Sequence, residues 1–456
     1  MIGTKSAYFF GGLSTLSLGG DEMDSLWTET VQMPRFETLQ KDISTDILIV
    51  GGGMAGLLCA WKLKQQGIDC LLVEQDRLCS GITKNTTAKI TIQHGMIYSR
   101  LIRTFGTDKA KLYLQANQVA LEQYKSICQT IDCDFEIQDS FVYSMDDRGS
   151  MERECAALRE LGVDAQNTTE VSLPFPVAGA VKIKEQAQFH PLKFAAAVAE
   201  GLPILEHTKV LEWMPGKVVT NGGTIQAKKI IVATHFPVLN KHGGYFLKLY
   251  QHRSYVLALE NAPKISGMYV DEAQTGLSFR SYGDLLLLGG GGHRTGKKGG
   301  NWKELEQFAA KYFPQAHGVA KWATQDCMTL DGVPYIGQYS KSTPNLFVAT
   351  GFNKWGMTSS MAAAMLLCDL VQGRRNPWEE IFDPSRSILH PQLAVNVAEA
   401  TLNLITPTTP RCPHLGCALK YNRAEKSWDC SCHGSRFDCN GKMLDNPATE
   451  NKKMDS

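Results

Sequence analysis

Five of the chain's 13 cysteines fall within its last 45 residues, four of them in the runs Cys412-Pro-His414-Leu-Gly-Cys417 and Cys430-Ser-Cys432-His433-Gly-Ser435. The pattern is C-x-H, fifteen residues, then C-x2-H, with one further cysteine beside each half. Two short loops thus offer two thiolates and two imidazoles. Two soft and two borderline ligands suit an iron–sulfur cluster with a cysteine pair on one iron and a histidine pair on the other. Tetrahedral zinc is the alternative. Zinc sites usually group like ligands, as C-x2–4-C and H-x3–5-H. Here each loop mixes the two kinds, C-x-H is tight for zinc, and the two extra cysteines have no role in a zinc knuckle. The spacing favours the cluster.

The run resembles the Rieske [2Fe–2S] motif. That resemblance implies Cys412, His414, Cys430 and His433 as metal ligands and a disulfide between Cys417 and Cys432. Ser435 falls where the family places a hydroxyl donor to a bridging sulfide. Two residues on, high-potential members carry a tyrosine, and this chain has Phe437. Hydrogen bonds to the sulfurs stabilise the added electron. The expected potential therefore lies below the high-potential respiratory class. Full Rieske domains also carry several strands ahead of the first ligand loop. About twenty residues separate Pro391 from Cys412, too few for such a base sheet. A small all-β cluster-binding subdomain leaning on the rest of the chain is expected.

The other informative stretch is Asp46-Ile-Leu-Ile-Val-Gly51-Gly-Gly53-Met54-Ala55-Gly56, a buried strand, a glycine turn and the start of a helix. Gly51 permits the turn, Gly53 lets the backbone approach a pyrophosphate, and Gly56 lets helix and strand pack closely. The helix N-terminus offers free N–H groups to phosphate. A second strand, 70–73, ends at Glu74, which lies 18 residues past Gly56, where a ribose-binding acid belongs, with Gln75 beside it.

The chain from the glycine turn onward resembles the FAD-binding half of the D-amino-acid-oxidase superfamily, flavoproteins related to glycine oxidase and gamma-glutamylputrescine oxidase. The carriers are the hydroxyl-rich loop with Gly81, Thr83, Thr87, Ala88 and Lys89, and the strand pieces with Val210, Ala233 and Thr234. A C-terminal turn into a helix adds Gly351, Trp355, Gly356, Met357 and Thr358. The resemblance covers roughly residues 27–375, taking domain limits as soft. It implies an α/β Rossmann-like FAD domain interleaved with an antiparallel-sheet substrate domain. The expected division is an N-terminal extension (1–26), FAD pieces (27–107, 176–240, 326–375), substrate pieces (108–175, 241–325), a linker (376–411) and the Rieske segment (412–456). Helical patterns at 108–131 and 151–161 and strands near 134–138, 141–143, 255–259, 278–280 and 284–288 fill the substrate pieces. Residues 289–300, glycine-rich and basic, lack the G-K-[ST] ending of a phosphate loop and read as a surface loop. Five prolines between 377 and 410 make the linker a packed one.

Hydrophobic content of 43% and charged content of 20% are ordinary for a globular protein. A net charge of +1 gives no electrostatic case for nucleic acid or an anionic membrane, and no apolar run is long enough for a membrane span. The segment 6–18 is too diluted by glycine and serine for a signal peptide, so a cytoplasmic location is expected. Gly19-Gly20-Asp21-Glu22 can be encoded as a ribosome-binding sequence, which makes Met23 a candidate start.

The two resemblances together imply FAD and a [2Fe–2S] cluster in one polypeptide. The expected reaction is dehydrogenation of a small amine or amino acid, with single electrons leaving through the cluster to an acceptor protein or a quinone. Two rivals stand beside it: an oxygen-using oxidase with a structural metal knuckle, and an electron-transfer or redox-sensing flavoprotein without a small substrate. Candidate catalytic residues are Lys354, in the turn beside the flavin, His94 and Arg253, with Arg294 as a second carboxylate binder. Cys327 is considered for covalent flavin attachment, although its spacing to Asp331 departs from the relatives that do this.

Overall fold

The computed structural model describes residues 24–239, 242–273, 276–407 and 410–453. The proposed start at Met23 and all but the end of the expected N-terminal extension lie outside these residues. Among the described residues, no helix is long and apolar enough to cross a membrane.

The run Ile47–Val50 is apolar because its strand is buried on both faces. Ile43–Val50 sits inside a mixed sheet, parallel to Thr224–Val232 on one side and Cys70–Val73 on the other. Leu346–Thr350 adds to Thr224–Val232 in parallel, and Tyr335–Gln338 closes that edge antiparallel. Parallel strands of this kind need cover on both sides, which produces continuous rather than alternating hydrophobicity. The helices Met54–Gln65 and Gly356–Leu370 supply one cover, and the alanine run Ala362 to Ala364 shares a core with Leu57 and Leu58.

The second sheet has nine strands, and Leu249–Glu260 lies between His317–Thr329 and Leu285–Arg294, antiparallel to both. The expected helices form as Thr107–Cys128 and Arg148–Glu160, and the two short strands near 134–143 form one, Glu136–Ser144. The surface-loop reading of 289–300 is corrected. Gly289 to Gly292 continue the strand Leu285–Arg294 at its tightest point. A Cβ on Gly289 would lie 2.5 Å from the Ser278 side chain, and one on Gly291 would lie 2.3 Å from the Asn301 carbonyl. The glycines mark close packing, and only the end of the segment is exposed.

The cluster segment is a four-stranded antiparallel meander, Leu419–Asn422, Ser427–Cys430, Arg436–Phe437 and Met443–Asp445. Ahead of it, the proline-punctuated linker contains a helix, Pro391–Ile405, with Pro391 in its first turn, where a missing N–H costs nothing. Between that helix and the meander, the described residues add one isolated bridge, Arg411 to Ala418, and no base sheet.

Support comes from the flavin body through a buried ionic network. Glu425 accepts from Arg253 Nε (3.1 Å), the Tyr255 hydroxyl (2.9 Å) and Arg436 (2.6 Å). Arg436 also pairs with Asp429 (3.0 Å) and Asp445 (2.8 Å). Burial alone would raise the Glu425 carboxyl, but the two guanidiniums outweigh it and hold the group at about 2. Removing one partner from such a network strands buried charge, at a cost of about 3–5 kcal/mol. Glu425→Ala is therefore expected to release the cluster segment first. A denaturant titration should show the visible absorbance of the cluster lost well before that of the flavin, and coincident transitions would show that the network does not secure the segment.

Candidate functional site

A cavity of about 640 Å³ opens along the C-terminal edge of the mixed sheet, under the nine-stranded sheet. Its floor is the glycine turn. Gly51 has φ +110°, and a Cβ there would lie 2.6 Å from the Ala233 carbonyl. A Cβ on Gly56 would lie 1.9 Å from the Gly51 carbonyl. Gly53 differs: a Cβ would meet only Thr83 Oγ1, at 3.6 Å, because this glycine faces the cavity. Thr83 Oγ1 accepts from the Met54 N–H (3.0 Å) at the helix N-terminus. Glu74 ends its strand on the wall, bonded to the Gly52 N–H (2.6 Å) and the Asp76 N–H (2.9 Å). Gly51, Gly53, Met54, Ala55, Glu74, Gln75, Gly81, Thr83, Thr87, Lys89, Val210, Ala233, Thr234, Gly351, Trp355, Gly356 and Met357 all line this cavity. An open helix N-terminus, a glycine without a facing side chain and a carboxylate at the strand end suit a dinucleotide.

At the C-terminus, Cys417 and Cys432 form the expected disulfide. The sulfurs of Cys417, Cys430 and Cys432 lie within 4.8 Å of one another, but the disulfide occupies two of them. The thiols of Cys412 and Cys430 are buried and hydrogen-bonded to each other, and the rings of His414 and His433 are 5.0 Å apart. Burial pushes His414 down to about 4 and His433 to about 3, so both rings are neutral donors. His433 Nδ1 is buried without a hydrogen-bond partner. Two adjacent thiols, two neutral imidazoles and an orphaned ring nitrogen are the donor set a Rieske centre takes. Ser435 hydrogen-bonds the Cys412 thiol and accepts from the Ala448 N–H (2.9 Å), while Phe437 is buried in the meander.

The family model of FAD dependent oxidoreductases (DAO) matches residues 46–370, and that of the Rieske [2Fe-2S] domain matches 391–454. The chain belongs to the DAO family of FAD-dependent oxidoreductases. It carries a C-terminal Rieske domain, and its cofactors are FAD and a [2Fe–2S] cluster. It is 34% identical to YhfW of Bacillus subtilis (strain 168), a protein named for a Rieske 2Fe-2S centre, over 94% of this chain and 97% of that one. It is 24% identical to gamma-glutamylputrescine oxidoreductase of Escherichia coli (strain K12), over 74% of this chain and 86% of that one. The fold is that of glycine oxidase from Geobacillus kaustophilus, with a TM-score of 0.65 at 22% identity, over 76% of this chain and 99% of that one.

Within this DAO fold, three of the residues expected to bind FAD stand off the cavity wall. Gly56 serves helix packing. Ala88 is buried, its carbonyl accepting from Arg280 (3.0 Å), and Thr358 Oγ1 is held by His94 Nε2 (2.9 Å). Their sequence neighbours reach the cavity, but the Ala88 and Thr358 side chains are buried in the core and Gly56 packs on the Gly51 backbone. Cys327 is also behind the wall, near Thr350 Oγ1 (3.7 Å), with its thiol pushed up to about 12 by burial, so it is not placed for flavin attachment.

The two arginines expected to bind a carboxylate are turned away as well. Strand side chains alternate between faces. Tyr250, Ser254 and Val256 line the cavity, whereas Gln251 and Arg253 face the Rieske domain. Arg253 is committed to Glu425, and Arg294 donates to the Ser431 carbonyl (3.2 Å) and Asn396 (2.8 Å). The charged group that the neighbouring strand does present is Asp326, between Thr324 and Met328 on the cavity side. Burial raises its carboxyl against the pull of Lys354 and His235. Sequence reasoning missed Asp326; its one signal was alternation along 324–328.

Lys354 lies on the wall in a left-handed turn, φ +72°, lowered by burial and opposed by Asp326. Lys89 is lowered to about 7 by burial and by Arg280. His94 is pushed to about 3 by burial and so is neutral. It lines the cavity, bonds the Tyr113 hydroxyl (2.6 Å) and stacks on Trp355 at 5.0 Å, so it also supports the Trp355 turn.

The two sites share a wall. The His433 ring abuts Phe236 and Phe246, at 6.4 and 6.3 Å. Gln325 donates to the Gly434 carbonyl (2.9 Å), and a Cβ on Gly434 would lie 2.2 Å from the Gln251 side chain. Asn446 donates to the carbonyls of Thr234 (2.5 Å) and Phe236 (3.2 Å), and Leu444, Asn446 and Thr449 line the same cavity as the glycine turn.

Two substitutions separate the sites. Gly56→Ala forces a methyl onto the Gly51 carbonyl, so the purified protein should lose its flavin absorbance and keep its iron. Cys412→Ser should do the reverse, abolishing the cluster's visible and paramagnetic signals and leaving the flavin bound. Retention of both cofactors in either variant would contradict the assignment of that site.

Proposed function

We propose that this protein dehydrogenates a small amine or amino acid and passes the electrons singly, through its Rieske domain, to an external acceptor protein or quinone. When bound, FAD takes a hydride from a C–H beside an amine nitrogen, and the cluster supplies one-electron transfer. The observation that carries this reading is the shared wall: His433 touches Phe236, two residues from Thr234 on the dinucleotide cavity. A route to oxygen alone would give this docking no purpose, which favours dehydrogenase over oxidase. The names of the relatives, gamma-glutamylputrescine oxidoreductase and glycine oxidase, support an amine-bearing substrate.

The residues proposed to hold the cofactors are the glycine turn, Glu74 and the Gly351–Met357 turn for FAD, and Cys412, His414, Cys430 and His433 for the cluster. The N-terminus of the helix Gly356–Leu370 opens on the cavity, where its dipole favours negative charge. Asp326 and Lys354 both line the cavity, and each favours the charged form of the other against burial. Asp326 is placed to accept a proton from a substrate ammonium, and Lys354 to pair with an anionic group. The buried free thiols outside the cluster site fit a reducing compartment, and a cytoplasmic location is part of the proposal.

The test is anaerobic mixing of the holoprotein with a panel of amines and amino acids, after quantitation of iron and flavin. A productive substrate should bleach the flavin and then raise the paramagnetic signal of the reduced cluster. Flavin bleaching with a cluster that stays oxidised would overturn the relay, as would zinc in place of iron. Asp326→Asn should lower kcat/KM by about 10²–10⁴, the range for a lost acid–base group, with the loss shrinking as pH rises and free amine accumulates.

A further inference from the structure

The helix Pro391–Ile405 is inside out. Its asparagines Asn396 and Asn403, seven residues and so about two turns apart, are buried against the protein. Asn396 accepts from Arg294 (2.8 Å), and the Asn403 carbonyl accepts from the Ala418 N–H (3.1 Å). The opposite arc presents Val395, Val397, Leu402, Leu404 and Ile405 to solvent, with Ile405 72% exposed. Surface helices bury the apolar stripe and expose the polar one; this helix does the reverse. Leu415, next to His414 in sequence, is a further exposed leucine.

The helix has one charged residue, Glu399, and Lys297 neutralises it. Around it the surface is basic. Lys420 lies close enough to Lys297 for the two to repel, Lys298 is exposed next to Lys297, and Arg411 caps the helix C-terminus through the Leu404 carbonyl (2.9 Å).

We propose that this face docks the protein peripherally on a lipid bilayer with anionic headgroups. The composition selects that occupant. Protein interfaces are anchored by Trp, Tyr and Arg, with Leu and Val under-represented, and this helix has no aromatic residue and no arginine. A second copy packed on the same face would bring two basic patches with Lys297, Lys298 and Lys420 into one interface, with no acidic patch on this face to answer them. Anionic headgroups complement those cations, and acyl chains take up the aliphatic arc. The docking stands without the relay proposed above. If that relay holds, docking brings the His414 loop to an acceptor dissolved in the lipid.

The experiment is flotation of the full-chain holoprotein with phosphatidylcholine–phosphatidylglycerol vesicles and with phosphatidylcholine vesicles alone, with light scattering to fix the oligomeric state. Wild type should float with the mixed vesicles, less so at high salt, and stay behind with the neutral ones. Leu402→Asp/Ile405→Asp should lose the floating fraction, and Lys298→Glu/Lys420→Glu should lose most of it. Both variants should keep wild-type flavin and cluster absorbance, which excludes misfolding as the cause. Wild type that fails to float, or floats equally well with the paired aspartates, overturns the proposal. Wild type that is a dimer without affinity for vesicles, and becomes monomeric with the aspartates, assigns the face to a second copy and overturns it as well.

Discussion

A carboxylate buried between two guanidiniums decides how this molecule is joined. Glu425 comes from the turn of the cluster meander, Arg436 from its third strand and Arg253 from the flavin body. Each charge would be costly alone in that interior. Together, with Asp429 and Asp445, they are satisfied only when the meander is seated on the strand Leu249–Glu260. A meander of four short strands has little core of its own, a handful of residues around Cys412, Leu419 and Phe437. With no base sheet among the described residues, its cysteine–histidine loops take their support from outside the meander. The ionic network assigns that task to the flavin body, and the register of Arg253 on its strand sets where the ligand loops land.

That register has a second effect. Because side chains alternate, the strands Leu249–Glu260 and His317–Thr329 act as a partition one sheet thick. Tyr250, Ser254, Thr324, Asp326 and Met328 belong to the flavin cavity. Gln251, Arg253 and Gln325 belong to the cluster side. A one-residue slip would exchange the two sets, moving a carboxylate out of the cavity and a guanidinium into it. The lining of the cavity and the seating of the Rieske domain are therefore coupled through one pairing register, which the bulge between Arg253 and Tyr255 locally bends.

The parts of the fold legible in the sequence are those whose chemistry is local. The glycine turn requires backbone shapes and close approaches that its own neighbours dictate, and the ligand loops require cysteine and histidine at fixed spacing; both appear where the sequence places them. The parts that were not legible depend on distant partners. Gly289 to Gly292 read as loop because glycine is the default turn residue, but here it clears space for Ser278, Asn301 and His252. Arg253 and Arg294 read as carboxylate binders because an isolated strand does not announce which face is the cavity. The helix at 391 was hidden by the prolines before and after it and by an amphipathicity whose polar side turns inward.

Side chains are also missing where the two halves meet most closely. Gly434 follows the proposed cluster ligand His433 and leaves room for Gln251, and Gly296 has no Cβ where one would press on the Ser431 backbone at 2.7 Å. Even an alanine at either position would push the His433 loop off the flavin body. Coupling between redox centres falls steeply with separation, so a methyl-sized gap at this interface matters more than one elsewhere in the core. The ring of His433 is fixed by Phe236, Phe246 and a hydrogen bond with the Phe246 backbone, all contributed by the flavin body. The same body whose glycine turn lines the dinucleotide cavity thus also orients the ring of the proposed cluster ligand His433.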